Sequence, residues 1–168
     1  PIPELKMAEF QAKNLPDHAG IVLPDMFRDR PNEYLNEMFS PPGTKVIYLE
    51  DAKKTNGWVT FRKPVLQEMK INPALAQRKL ADWYMRQPGF QEAYARHELE
   101  DRTKPLKGIF GERVRLSYHP EESGDVFVVL KPYHMIRTAI ASKETLSYRT
   151  THGSPHRYDT HVPFIVSG

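Results

Sequence analysis

Five apolar residues in a row, Val126-Phe127-Val128-Val129-Leu130, lie between the polar turn "PEESG" with Asp125 and the stop signal Lys131-Pro132. A strand that hides one face alternates apolar and polar residues, whereas an unbroken apolar run of this length hides both. The chain must therefore cover this strand on two sides, which calls for layers of helix and sheet. Its 168 residues suffice for one compact domain. A domain of that size buries roughly two thirds of its unfolded surface. The 15 prolines stand against about 8 at average usage, so the elements should be short and the loops well punctuated.

The remaining segments supply candidates for that cover. "LKMAEFQAK" reads as a short helix, interrupted by "LPDHAG" and "VLPD". "DRPNEYLNEMF" reads as a helix with Leu35, Met38 and Phe39 on one stripe, closed by "SPPG". "TKVIYLE" and "WVTFR" read as two strands of an antiparallel ribbon turning at Asn56-Gly57. "PVLQEMK" supports one or two helical turns. The strongest helix is "NPALAQRKLADWYMRQ", capped by Asn72 with Pro73 in the first turn and Leu75, Ala76, Leu80 and Tyr84 on its apolar side. "FQEAYAR" fits strand and helix equally. "LKGIFGERVRLSYH" predicts a helix up to Arg113 and then a strand, with Val114, Leu116 and Tyr118 alternating. "HVPFIVSG" reads as a second buried strand. The fold class is α/β or α+β, with helices flanking a mixed sheet.

Composition excludes several function classes. There is no cysteine, so disulfides and thiolate metal sites are ruled out. The net charge of +3 is spread along the chain in mixed sign, which does not suit a polyanion groove. No apolar run reaches the roughly 20 residues that span a bilayer.

Histidine and carboxylate chemistry concentrates near the end, in "THGSPHRYDTHVPFIVSG". His152 precedes Gly153, Ser154 and Pro155 in a segment unfit for regular helix. A neutral imidazole is a good ligand for a transition ion, and the adjacent glycine permits close approach. The plain alternative is a turn histidine. His156 and His161 follow, but the proline and glycine argue against an H-x₃-H helix, and a surface or turn role is the plainer reading for both. Asp159 suits either a second-layer acceptor for a histidine or a turn cap. Asp17-His18 in "LPDHAG" and the group His119, Glu121, Glu122 and Asp125 read more simply as solvated turns. No phosphate-binding glycine loop or nucleophile elbow is present, and Ser154 in "HGSP" is no elbow serine.

"SYHPEESGDVFVVLKPY" followed by "THGSPHRYDTHVPFIVSG" resembles the C-terminal part of bacterial members of the alkaline phosphatase superfamily, on the phosphate monoesterase and type I phosphodiesterase/nucleotide pyrophosphatase branch. From roughly residue 75 onward the order of elements follows that family. "IPE" resembles the segment after its Asp-His-Gly metal motif. The resemblance implies that His152 binds one of two zinc ions. It implies supporting positions at Ser154, His156, Asp159 and His161, and a loop shaped by Ser123, Gly124 and Asp125, although the family more often has arginine where Glu122 stands. It does not carry over to Asp17 and His18. The family's nucleophile motif and its S/A-D-H-G pair have no counterpart here.

The expectation is a portion of a larger fold of this kind. Residues 1–150 read as an insertion or cap-like region with a buried strand at 125–131, and 151–168 as a metal-ligand loop and core strand of the catalytic domain. The resemblance implies a zinc-dependent phosphate-ester hydrolase acting on a small-molecule mono- or diester. It also implies a periplasmic or exported setting, as family members often have. The chain alone is expected to be inactive, with the rest of the catalytic domain as its partner. Two rivals remain. One is an accessory module for nucleotide, phosphate ester or RNA built on "WVTFRK" and "ADWYMR", although Trp58 and Trp83 fit packing better than base stacking. The other is a small free-standing metalloprotein using His152, His156 and Asp159.

Overall fold

The structure, a computed structural model, describes residues 3–13, 19–51, 57–136 and 152–160, with side chains from Met7 onward. The elements are α1 (Pro3–Ala12), β1 (Gly20–Val22), a 3₁₀ turn (Pro24–Phe27), α2 (Asp29–Phe39), β2 (Trp58–Val59), α3 (Lys63–Glu68), α4 (Pro73–Tyr84), β3 (Phe90–Ala95), α5 (Arg96–Glu100), α6 (Gly111–Ser117), β4 (Val126–Leu130), β5 (His134–Ile136) and α7 (Arg157–Thr160). This is a mixed α/β fold. One sheet is antiparallel in the order β2-β4-β3, and β1 pairs in parallel with β5.

The apolar run is the central strand β4, and both of its faces are covered. Val126 and Val128 join a core with Leu80, Ala81 and Tyr84 of α4 and Leu35 of α2. Phe127 and Val129 point the other way, into a second core with Leu99 of α5 and Val114 of α6. The alternation of β4 thus sorts its side chains between two cores. In β3 a register shift between Phe90 and Glu92 interrupts the ladder.

Several elements follow their local sequence. Asn72 accepts the Leu75 amide at 3.0 Å and starts α4, with Pro73 in its first turn. "FQEAYAR" resolves into β3 followed directly by α5 at Arg96. Others do not. Leu75 is exposed, whereas Ala76, Leu80 and Tyr84 are fully buried. Met38 is likewise exposed and leaves Leu35 as the buried anchor of α2.

One predicted strand is shortened and another is overturned. Of "TKVIYLE", only Leu49 bridges Phe61. The antiparallel pairing forms there, with the Glu50 amide on the Thr60 carbonyl at 2.9 Å and the Arg62 amide on the Tyr48 carbonyl at 2.7 Å, but it extends no further, because Asn32 Oδ1 of α2 accepts the amides of Tyr48 at 2.8 Å and Leu49 at 3.3 Å. Asn36 both accepts from and donates to the Val46 backbone, each at 2.7 Å. The second correction is Val114 to Tyr118, which lie in or beside helix α6 rather than in a strand. Glu92, in β3, accepts the amides of Ile109 at 2.8 Å and Phe110 at 3.1 Å. That satisfies donors just ahead of the helix and fixes where it starts.

Candidate metal-ligand loop and the SGD network

Residues 152–160 form a braced loop. Gly153 has φ +88°, a left-handed conformation that a side chain would strain. Asp159 Oδ2 accepts the Ser154 amide at 2.7 Å. The amides of Asp159 and Thr160 return to the His156 carbonyl at 2.9 and 3.1 Å. His152 is exposed at the open end of this turn, and nothing lies within 4 Å of where a side chain would start at Gly153.

His156 anchors the loop. Its ring is buried, and Nε2 donates to the Leu130 carbonyl at the end of β4 at 2.8 Å. That bond makes Nε2 the protonated nitrogen, because a carbonyl only accepts. The ring stacks on Tyr158 and meets Phe110 edge-on. Tyr158 in turn stacks on Tyr133, which has φ 60°, and accepts the Tyr133 amide at 3.2 Å. Partial burial pushes the Tyr158 phenol up. Arg113 of α6 donates to the Pro155 carbonyl at 2.6 Å. The loop is therefore tied to α6, to the end of β4 and to the turn before β5.

The SGD loop is organised differently. Ser123 Oγ accepts the His119 amide at 2.9 Å. A side chain at Gly124 would start 2.8 Å from Thr60 Oγ1 and 2.9 Å from the Val59 carbonyl, so only glycine fits there. Asp125 turns inward and is buried. Its Oδ2 accepts the Phe61 amide at 2.8 Å, and its Oδ1 accepts from Gln77 Nε2 at 3.1 Å. The carboxylate thus points away from the exposed His119, Glu121 and Glu122. Arg96 closes the turn from α5, with its guanidinium 5.8 Å over the Tyr118 ring and Nε on Glu100 at 2.9 Å.

Among the described residues no group of three or more His, Cys, Asp or Glu side chains could hold a metal ion. What the loop offers is one exposed imidazole, which fits a single coordination position and not a full shell. Asp17, His18 and His161 lie outside the described residues. Sequence reading missed Gln77 and His97. Gln77 Oε1 lies 3.1 Å from His97 Nδ1, which extends the Asp125 network to α5. Separations of 20 and 48 residues leave no local pattern to find.

With this geometry in view, the chain can be set beside known proteins. Its fold is similar to part of the wild-type alkaline phosphatase PafA, with a TM-score of 0.61 at 20% identity over 90% of this chain. A substituted variant of PafA matches with a TM-score of 0.59 at 19% identity, again over 90% of this chain. The chain spans 25% of PafA's length. No family model matches, and no curated protein does. The likeness is one of fold, to an enzyme of the alkaline phosphatase superfamily. Among the described residues no helix is long and apolar enough to cross a membrane.

Proposed function

We propose that this chain is part of a zinc-dependent phosphate-ester hydrolase, a phosphomonoesterase or a phosphodiesterase/nucleotide pyrophosphatase, in which His152 supplies one ligand to one of two zinc ions. The observation that carries the reading is the fold shared with PafA over 90% of the chain. The braced 152–160 loop and the motif it contains support it. Zinc, when bound, offsets charge on the substrate oxygens and lowers the pKa of a coordinated water. This chain's own part is to hold the His152 imidazole at a set place and angle. Gly153 keeps the approach open, Asp159 closes the turn behind it, and His156 fixes the turn to β4. The remaining ligands and the nucleophile come from other segments, so the chain by itself is expected to hydrolyse little. A periplasmic or exported setting belongs to the same reading.

The test is made in the full-length protein that carries this chain. His152→Ala should remove one zinc ion of the pair, measured by elemental analysis, and lower phosphate-ester hydrolysis by roughly 100-fold or more. Unchanged zinc content with unchanged turnover would overturn the assignment. Full zinc occupancy and turnover in residues 1–168 alone would favour the free-standing metalloprotein instead.

A further inference from the structure

Phe110 and Arg113 lie three residues apart at the start of α6, a spacing that puts side chains on one helix face. Both meet the 152–160 loop. The Phe110 ring meets His156 edge-on with centroids 4.8 Å apart, and Arg113 Nη1 donates to the Pro155 carbonyl at 2.6 Å. One turn of helix therefore grips two consecutive loop residues. Its place is set from β3, where Glu92 accepts the amides of Ile109 and Phe110.

Arg113 is used differently from other arginines of the fold. Arg78, Arg96 and Arg115 each pair with a glutamate. Arg113 meets no carboxylate among the described residues. Ile109, Phe110, Leu116 and Ser117, one turn away on either side, carry no charge, and Glu112 pairs with Arg115 at 2.9 Å. The Arg113 guanidinium goes instead to a carbonyl 42 positions along the chain, in a bond stronger than one between neutral groups. The bonds made by Asp159 and by the His156 carbonyl close the loop on itself but leave its direction open. Direction comes from outside: from Leu130 at His156, from Tyr133 at Tyr158 and from Arg113 at Pro155. Of these three, Arg113 reaches the loop nearest in sequence to His152.

We propose that Arg113 is a positioning residue, which sets the direction in which this turn presents the His152 imidazole. The inference rests on the hydrolase reading for the use of that imidazole. Its sign separates it from a plain charge effect. A cation close to a zinc site repels the metal, so a charge effect alone would make zinc bind more tightly once Arg113 is removed. Positioning predicts the opposite. In the full-length protein, Arg113→Met should weaken zinc binding about tenfold in competition with a chelator. It should also speed hydrogen exchange at the Ser154 amide of the metal-free protein, with global unfolding unchanged because Arg113 is exposed. Arg113→Lys should restore both, since a single charged donor suffices for one carbonyl. Unchanged exchange at Ser154 in Arg113→Met, zinc held as tightly or more tightly, or equal losses in the Met and Lys variants would overturn the proposal. Zinc retained by His152→Ala would instead bring down the hydrolase reading, and exchange in the metal-free protein would still decide whether Arg113 holds the turn.

Discussion

Asp125 shows how much one buried side chain can join. Its two oxygens reach the segment after β2 and helix α4, while its backbone bonds Val59 and Arg96 at 2.8 Å each. Replacing one oxygen by an amide nitrogen sets donor against donor. If the substituted side chain kept the Phe61 bond, its Nδ2 would face Gln77 Nε2, and turning Gln77 over would place Gln77 Nε2 against the His97 amide. Asp125→Asn should therefore cost about 1–3 kcal/mol in urea unfolding. A change of a few tenths would mean that the network is not formed. A second residue-scale test concerns acid. The Tyr118 hydroxyl, and after it Arg96, hold the Glu100 carboxyl below its ordinary range, while burial and Glu100 push the Tyr118 phenol up to about 12. A carboxylate with a lowered folded-state pKa contributes stability above its unfolded value and loses it as pH falls through the folded one. Tyr118→Phe should raise the Glu100 pKa and shrink that acid-dependent share, read by NMR titration of Glu100. An unmoved titration would remove Tyr118 as the cause.

At the scale of elements, what was legible was what depends on neighbours in sequence. The cap at Asn72, the stop after Leu130 and the two-sided burial of β4 all follow from residues a few positions apart. The misread segments were decided by distant partners. Alternation at Val114, Leu116 and Tyr118 suggests a strand, but Glu92 sets the start of α6 from across the sheet, and Gly111 sits where a side chain would meet Leu106 at 2.5 Å. The "TKVIYLE" strand was cut back to its pairing of Leu49 with Phe61 by asparagines in α2 in the same way. The two readings of α6 differ in which side chains share a face. In a strand Val114 and Leu116 would be buried together, whereas in the helix Val114 is buried at 2% exposure and Leu116 stands at 88%. Val114→Ala should cost about 1–3 kcal/mol, and Leu116→Glu should change stability by less than about 0.5 kcal/mol. Comparable losses at both positions would restore the strand.

Across the whole molecule, the candidate ligand is held by a chain of rings that no local pattern reveals. Phe10 of α1 meets Tyr133, Tyr133 stacks on Tyr158, Tyr158 on His156, and His156 meets Phe110 ahead of α6. The turn at Gly153 and Asp159 depends on residues a few positions apart; the support beneath it does not, because the rings come from four parts of the chain. The two histidines of the loop therefore have separable roles. His152 is exposed on a turn closed by Asp159, so its removal should leave folding stability nearly unchanged while zinc is lost. His156 is buried, bonds the Leu130 carbonyl and fills the space between Tyr158 and Phe110, so His156→Ala leaves both a void and an unpaired carbonyl. That variant should lose about 2–4 kcal/mol. It should also speed hydrogen exchange at the Ser154 amide and weaken zinc binding only through the loosened loop. His152→Ala should do the reverse, losing zinc with exchange at Ser154 unaltered. If the two variants prove indistinguishable by exchange, unfolding and zinc content, the loop is not the braced presenter of a single ligand, and the role given to His152 falls with it.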